Sequence, residues 1–105
     1  HQGKLGDGCS VEQGADAARV CALAVLAQLK EAVGGDLDRV RRCVRIGGFV
    51  NSTPEFTDQP KVVNGASDLI VAVFGDAGRH ARAAVGVASL PAGVAVEVEA
   101  IFETG

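Results

Sequence analysis

The sequence predicts an α+β fold in which two helices pack on one face of a small β-sheet. Two segments carry apolar residues at helical spacing, and the segments that follow them are rich in Val and Ile, as strands are. The chain has four Phe and no Tyr, Trp or Met, so its core has to come from Val, Ala, Leu and Ile. A length of 105 residues predicts a single domain, residues 1–105.

The first helix is predicted over residues 11–33. Ser10 can accept a hydrogen bond from an early backbone N–H, and Gln13 completes a capping-box pattern. The Gly34-Gly35 pair marks the end of the helix. Ahead of it, the Gly-rich residues 1–9 predict a loop or a disordered terminus. The apolar residues at helical spacing are Val20, Leu23, Ala24, Ala27 and Val33.

A strand and a second helix are predicted in the middle of the chain. The strand lies within "RRCVRIGGFVNS", where apolar and polar residues alternate, and its Gly47-Gly48 pair predicts a bend or bulge. The helix follows Asp58, which can cap it, and Pro60 suits its first turn. Its apolar stripe ends at Gly75.

The last segment predicts two strands, 82–87 and 94–102, joined by "ASLPAG". In the final strand the even-numbered residues share one face, which we expect to meet the helices. The opposite face carries Ala95, Glu97, Glu99 and Ile101, a mixture of apolar and acidic side chains. This mixture predicts partial burial against another subunit, and hence self-association.

Composition argues against several function classes. A net charge of −3 and the lack of stacking aromatics make nucleic acid a poor partner. The three cysteines form no CxxC pair and stand far from His1 and His80, so no metal ion and no cofactor is predicted. Three reduced thiols, with no signal-peptide pattern and no membrane-spanning apolar run, predict a soluble cytoplasmic protein without a membrane partner.

Taken as residues alone, the charged side chains of the last segment form only a weak site. A single Arg such as Arg82 at the start of a strand is more often a solvated or ion-paired surface residue. Glu97 and Glu99 lie about 7 Å apart on one face. Such a pair can raise the pKa of one carboxylate and create a general acid or base, but the same pattern is common on plain surfaces. His80 is predicted to lie in a loop.

The run "HARAAVGVASLPAGVAVEVEAIF" resembles the C-terminal signature of the RidA/YjgF family of enamine/imine deaminases. That signature has an Arg opening a strand, a Leu-Pro pair, and a final strand with Glu-x-Glu-Ala. Here these are Arg82, Leu90-Pro91 and "VEVEAI" at 96–101, without gaps. The segment "DLDRVRRCVRIGGFVNS" is also similar to the family's middle region. The forms "GGFVNSTPEF" and "GRHARAAVG" look most like a YjgF-like, bacterial-type branch.

The resemblance implies a chorismate-mutase-like fold and a homotrimer with sites in the clefts between subunits. The implied activity is hydrolysis of 2-aminoacrylate-type enamines or imines to a 2-keto acid and ammonia. Arg82 would anchor the substrate carboxylate, and Glu97 would position or activate the attacking water. Backbone groups near Ala84 would hold the substrate nitrogen or the water, and residues 47–51 would line the cleft from a neighbouring subunit.

Two features depart from the family pattern. Ala84 stands where well-studied members have a Cys, and the two strands with which the family begins are not recognised ahead of Ser10. A second hypothesis is therefore a non-catalytic module that binds small carboxylates with the same Arg82. A third is a structural trimer of the same fold.

Overall fold

The computed structural model describes all residues, 1–105. Two helices pack against a small mixed sheet, which confirms the predicted α+β architecture. The elements are β1 (Lys4–Leu5), β2 (Gly8–Cys9), α1 (Val11–Ala32), β3 (Val40–Asn51), α2 (Gln59–Phe74), β4 (Ala81–Val87) and β5 (Val96–Thr104).

The main sheet has the strand order β4-β3-β5. The central strand, β3, is parallel to β4 and antiparallel to β5. Although β4 and β5 follow each other in the chain, they do not pair, because β3 lies between them. Each therefore has one edge without a neighbouring strand in this sheet.

The first helix begins as the sequence predicts. The Ser10 hydroxyl accepts a hydrogen bond from the backbone N–H of Gln13, and the Gln13 side chain accepts one from the Ser10 N–H, at 3.2 and 2.8 Å. Gly34 and Gly35 follow the helix with positive φ. The two hydrogen bonds between Ser10 and Gln13 complete the capping box and fix the direction in which α1 begins.

The buried side of α1 differs from the stripe named from the sequence. Val20 and Leu23 are both 49% exposed, and only Val33 of that stripe is buried. The side that packs inward carries one leucine, Leu26, and otherwise small residues, which bring α1 close to α2 and β5: Gly14, Ala17, Ala18 and Ala22. The helix has apolar residues on both sides, so spacing alone could not select the inner one.

The Gly47-Gly48 pair does not form the predicted bulge. The register of β3 is regular through both glycines, and the irregularities lie nearer its start, between Val40 and Arg42 and between Cys43 and Arg45. Gly48 instead gives room to α2, because a Cβ at this position would overlap the methyl groups of Val63. The prediction of a bulge at the glycines was wrong, because Gly48 serves close helix–sheet packing, and Gly47 faces the other side of the sheet, where a Cβ would lie 2.9 Å from Oε1 of Glu99.

The start of α2 also differs in one detail. Asp58 occupies the capping position, but its side chain accepts no capping hydrogen bond and lies 3.8 Å from the Lys61 amino group. Pro60 is in the first turn, as predicted.

Residues 1–9 are an ordered part of the fold. Leu5 is 0% exposed and belongs to the hydrophobic core. The Lys4 amino group donates to the Asn51 side-chain oxygen at 2.7 Å and to the Ala88 carbonyl at 2.5 Å. The segment is fixed by one buried leucine and by a lysine whose amino group donates to two acceptors. The expectation of a loop or disordered terminus is therefore replaced by two very short strands, β1 and β2.

No helix of the structure combines the length and the apolar character that crossing a membrane requires.

Candidate functional site at the β4 edge

Arg82 lies at the start of β4, on the side of the sheet that faces the helices. In the register it is opposite Ile46, which is fully buried beneath them. Its Nη1 donates to the Asn64 side-chain oxygen at 2.6 Å and to the Ser67 hydroxyl at 3.3 Å, both in α2. The other guanidinium N–H groups of this exposed side chain make no hydrogen bond to the protein. They are free to bind an anion.

Ser67 joins Arg82 to His80. The Ser67 hydroxyl is 2.9 Å from Nε2 of His80, and Nδ1 of His80 is 2.6 Å from the Gly78 carbonyl oxygen. Ser67 is buried, and His80 is half-buried just ahead of β4. The turn before β4, the strand itself and α2 thus meet at one connected polar cluster.

Ala84 and Gly86 continue the Arg82 side of β4 toward a larger cleft. In the register these three residues alternate with residues of the opposite face. The cleft has a volume of about 630 Å³, and polar groups of Lys4, Ser52 and Gln59 line it beside Gly86. Arg82, Ala84 and Glu97 do not line it. This cleft is therefore adjacent to the predicted site but does not contain it.

Glu97 lies at the other edge of the sheet and on the other face. It is opposite Phe49 in the register, whereas Arg82 is opposite Ile46. The two α-carbons are therefore separated by two strand spacings, about 10 Å, and by about 10 Å along β3. Glu97 is exposed and lines a shallow depression with residues of α1 that include Cys21. One chain does not bring Arg82 and Glu97 together.

The thiols are not activated nucleophiles. Burial raises the pKa of Cys21, and the nearby Glu97 carboxylate raises it further. Burial also raises the pKa of Cys9 and of Cys43. A thiol with a raised pKa is mostly protonated at neutral pH and reacts slowly. All three cysteines are free, and no three His, Cys, Asp or Glu side chains are grouped as metal ligands.

Sequence reasoning missed the two residues of α2 that hold Arg82. Asn64 and Ser67 are three residues apart, so they lie on one side of the helix, and that spacing was the available signal. His80 was placed in a loop, which is correct, but its contact with Ser67 was not foreseen. These contacts depend on how α2 packs beside β4, which no local pattern encodes.

Comparison with known proteins agrees with this architecture. The family model described as "YjgF/chorismate mutase-like, putative endoribonuclease" matches residues 1–101. Protein TCP17 of Trypanosoma cruzi is 59% identical over 102 residues, which are 96% of this chain and 63% of that protein.

Two crystal structures resemble the chain closely. Atu1372 from Agrobacterium tumefaciens, a protein of unknown function, is 50% identical, with a TM-score of 0.98 over 100% of this chain and 67% of its own. A "putative endoribonuclease" from Shewanella oneidensis MR-1 is 37% identical, with a TM-score of 0.89 over 93% of this chain and 64% of its own. The chain thus spans about two thirds of the length of these relatives. By the family match over nearly all its residues and by these similarities, the chain belongs to the YjgF/chorismate mutase-like family.

Proposed function

We propose that this chain is the subunit of a hydrolytic deaminase for reactive enamine and imine intermediates of the 2-aminoacrylate type. The products are a 2-keto acid and ammonia, and the reaction takes place in clefts between the subunits of a homotrimer. The observation that carries the proposal is Arg82, whose guanidinium is held by α2 at an exposed edge while its remaining N–H groups stay free.

Arg82 suits the carboxylate that every such substrate carries. A guanidinium keeps its charge at any physiological pH, and its planar fork matches the two carboxylate oxygens. The contacts with Asn64 and Ser67 use one nitrogen and leave the others to the substrate. Arg82 therefore orients the substrate without taking part in bond breaking.

The backbone around Ala84 is suited to hold the reacting end of the substrate. Because β4 is an edge strand, alternate peptide groups along its outer side have no partner strand in the sheet. Ala84 lies two residues beyond Arg82 on the same face, about 7 Å away. A peptide group there can hydrogen-bond the substrate nitrogen or the attacking water.

Glu97 supplies the general base, and it does so from a second subunit. As the oxygen of a water molecule bonds to the imine carbon, the water gives a proton to the Glu97 carboxylate and the carbon–nitrogen π electrons move to nitrogen. Glu97 passes its proton to that nitrogen, and transfer of the new hydroxyl proton to the nitrogen then lets the carbon–nitrogen bond break, so that ammonia leaves and the 2-keto acid remains. Within one chain Glu97 lies on the opposite face from Arg82. A catalytic pair therefore requires an Arg82 and a Glu97 from neighbouring chains, which is the reason that the proposal includes an assembly of subunits, and the resemblance to the RidA/YjgF family is the reason that this assembly is a trimer.

A carboxylate-binding module without catalysis is the second candidate. The distance of Glu97 from Arg82 in the single chain and the lack of an activated thiol favour it. An endoribonuclease role, which the names of relatives suggest, finds less support, because the chain carries a net charge of −3 and neither Tyr nor Trp. The proposal places the protein in the cytoplasm, where its three free thiols stay reduced.

A coupled assay tests the enzyme. An amino-acid oxidase generates the imine, and its loss is followed with and without the protein. We expect the wild type to accelerate that loss and Arg82→Ala to raise KM by at least about tenfold, because two charged hydrogen bonds are lost. We expect Glu97→Gln to lower kcat by about a hundredfold, because the general base is removed.

Two matched variants control for charge. Arg79→Ala removes an exposed arginine that pairs with Asp76 at 3.2 Å, and Glu99→Gln removes a carboxylate from the same strand and face as Glu97. Both should retain wild-type kinetics. If the wild type leaves imine loss unchanged while calorimetry shows 2-ketobutyrate binding that depends on Arg82, the chain is a binding module. Cleavage of a single-stranded RNA by the wild type, with no effect on the imine, would instead support the nuclease.

A further inference from the structure

We infer that His80 and Ser67 are positioning residues for Arg82, forming a hydrogen-bond relay that fixes the guanidinium for a substrate carboxylate. The inference rests on the proposed function for the identity of the ligand. The geometry of the relay stands on its own.

The relay has a single direction, and the Gly78 carbonyl sets it. A carbonyl oxygen can only accept, so the Nδ1 atom of His80, at 2.6 Å, must carry a proton. In the neutral ring Nε2 is then an acceptor, and it faces the Ser67 hydroxyl at 2.9 Å. Ser67 has one proton to donate and gives it to His80. Its lone pairs are thereby left to accept from Nη1 of Arg82, at 3.3 Å.

The origin of the relay is fixed by packing. Gly78 is buried against α2, where a Cβ would lie 2.5 Å from the Ile70 carbonyl oxygen and 2.9 Å from the Cα of Val71. Only glycine permits that approach without displacing the turn. The carbonyl that orients His80 is therefore held by the body of the fold, two residues before the histidine itself.

The consequence for Arg82 is a restricted guanidinium. An exposed arginine ordinarily occupies many rotamers, and ordering it on binding weakens the affinity for a ligand. Here Ser67 and Asn64 both accept from Nη1, so the side chain is ordered before the substrate arrives. If His80 no longer accepts the Ser67 proton, the hydroxyl can rotate and point that proton at Arg82, and one of the two restraints is lost.

Two isosteric substitutions of His80 separate the relay from simple packing. The amide of Gln reaches the place of Nε2 and can accept from Ser67, whereas the shorter amide of Asn reaches only the place of Nδ1. We expect His80→Gln to bind 2-ketobutyrate within about twofold of the wild type, since one neutral hydrogen bond is replaced by another. His80→Asn and Ser67→Ala should weaken binding about three- to tenfold, raising KM more than they lower kcat.

A double substitution tests whether the effect passes through Arg82. In the Arg82→Ala background, His80→Asn should cause no further loss of 2-ketobutyrate affinity by calorimetry, because residues that act through one group are not additive. A further loss equal to that in the wild-type background would overturn the positioning role. Equal binding by the Gln and Asn variants would overturn it as well. Thermal melts of each variant verify that Ser67→Ala and the His80 variants are folded.

The binding measurements distinguish a failure of the carboxylate-anchor role of Arg82 from a failure of the relay through His80 and Ser67. If Arg82→Ala binds 2-ketobutyrate like the wild type, the carboxylate anchor itself is wrong. If Arg82→Ala loses binding and neither His80→Asn nor Ser67→Ala does, only the relay is wrong. Nitrogen NMR of the imidazole tests the relay without any ligand. The neutral ring should carry its proton on Nδ1, and a proton on Nε2 would contradict the inferred direction.

Discussion

Arg82 and Glu97 lie at opposite edges of one three-stranded sheet, and their surroundings give them different properties. Arg82 is restrained by two side chains of α2. The Glu97 side chain has no hydrogen-bond partner within the chain. Its negative charge raises the pKa of the nearby Cys21 thiol. The first is ordered before any ligand binds, whereas the second is not restrained by any hydrogen bond within the chain.

Sequence singled out Arg82 and Glu97 as candidate site residues because both belong to a motif at fixed spacing. It could not identify Ser67 or the role of His80, because their contact joins a helix to a turn 13 positions away in the chain. Side-chain contacts between elements depend on packing geometry. A short motif carries no information about them.

The buried thiol of Cys43 predicts alkaline destabilisation. Burial raises its pKa above the ordinary value of 9.0 in the folded chain, while the unfolded chain keeps that value. Below pH 9 both states hold the proton, and this contribution to stability is fully present. As the pH rises, the unfolded chain releases the proton first, so the free energy of unfolding falls, by at most about 1.4 kcal/mol per pH unit from this group.

Urea denaturation of the wild type and Cys43→Ala at pH 8, 9 and 10 measures this effect. The alanine variant is less stable at pH 8 because a buried side chain is shortened, but its stability should decline less between pH 9 and 10. Parallel declines of the two proteins would show that the Cys43 thiol does not couple folding to pH.

The two helices are joined by a close backbone approach at Gly65. A Cβ there would overlap the Ala15 carbonyl oxygen in α1. Gly48 plays the same part between α2 and β3, where Val63 covers it. At the level of elements, small residues therefore decide how near α1, α2 and the sheet can lie. That distance in turn sets where Asn64 and Ser67 meet Arg82.

We expect Gly65→Ala to destabilise the protein by about 1–3 kcal/mol through overpacking, although alanine is the better helix former. Ala72→Gly is the matched comparison, since Ala72 is exposed in the same helix and reports propensity alone. It should lose about 1 kcal/mol. Chemical denaturation measures both. A stabilised Gly65→Ala would mean that α1 and α2 are not in the close contact described.

The bounds of the helices and of β3 and β4 follow closely from local sequence, whereas β5 spans Val96–Thr104 instead of the predicted 94–102. The capping box predicts the start of α1, and the glycine pair predicts its end within one residue. The inner side of α1 was not predictable in the same way, because Val20 and Leu23 are as apolar as the residues that face the core. Which side of a helix is buried depends on the elements that it packs against. Here α1 packs against α2 and β5 mainly through alanine and glycine.

The sheet leaves its outer face uncovered in the single chain. Val85 and Ile101 are 46% and 56% exposed there, with Phe49 half-buried between their strands. Glu97 and Glu99 lie on the same face. Apolar side chains grouped on an exposed sheet face are typical of an interface between subunits. The whole molecule thus carries a surface that fits the proposed trimer, and that trimer would bring Glu97 near another chain.

We expect sedimentation equilibrium to give a mass about three times the 10.7 kDa of one chain. Ile101→Lys should shift the protein toward the monomer, because a charge would be buried without a partner. Leu23→Lys, an equally large change on the exposed side of α1, should leave the mass unchanged. If Leu23→Lys dissociates the assembly and Ile101→Lys does not, the interface lies on the helices. A monomer at every concentration would contradict the trimer.

The sequence by itself determined the order of the two helices and of the three strands of the main sheet, the capping of α1, the inner face of β5 and the family signature around Arg82. These are local properties, set by spacing, turn residues and short motifs. Only the tertiary structure decided that β3 separates β4 from β5, that residues 1–9 are anchored by Leu5, and that Arg82 and Glu97 lie on opposite faces. The physical reason is that packing and strand order depend on contacts between residues far apart in the chain, which no short stretch of sequence specifies.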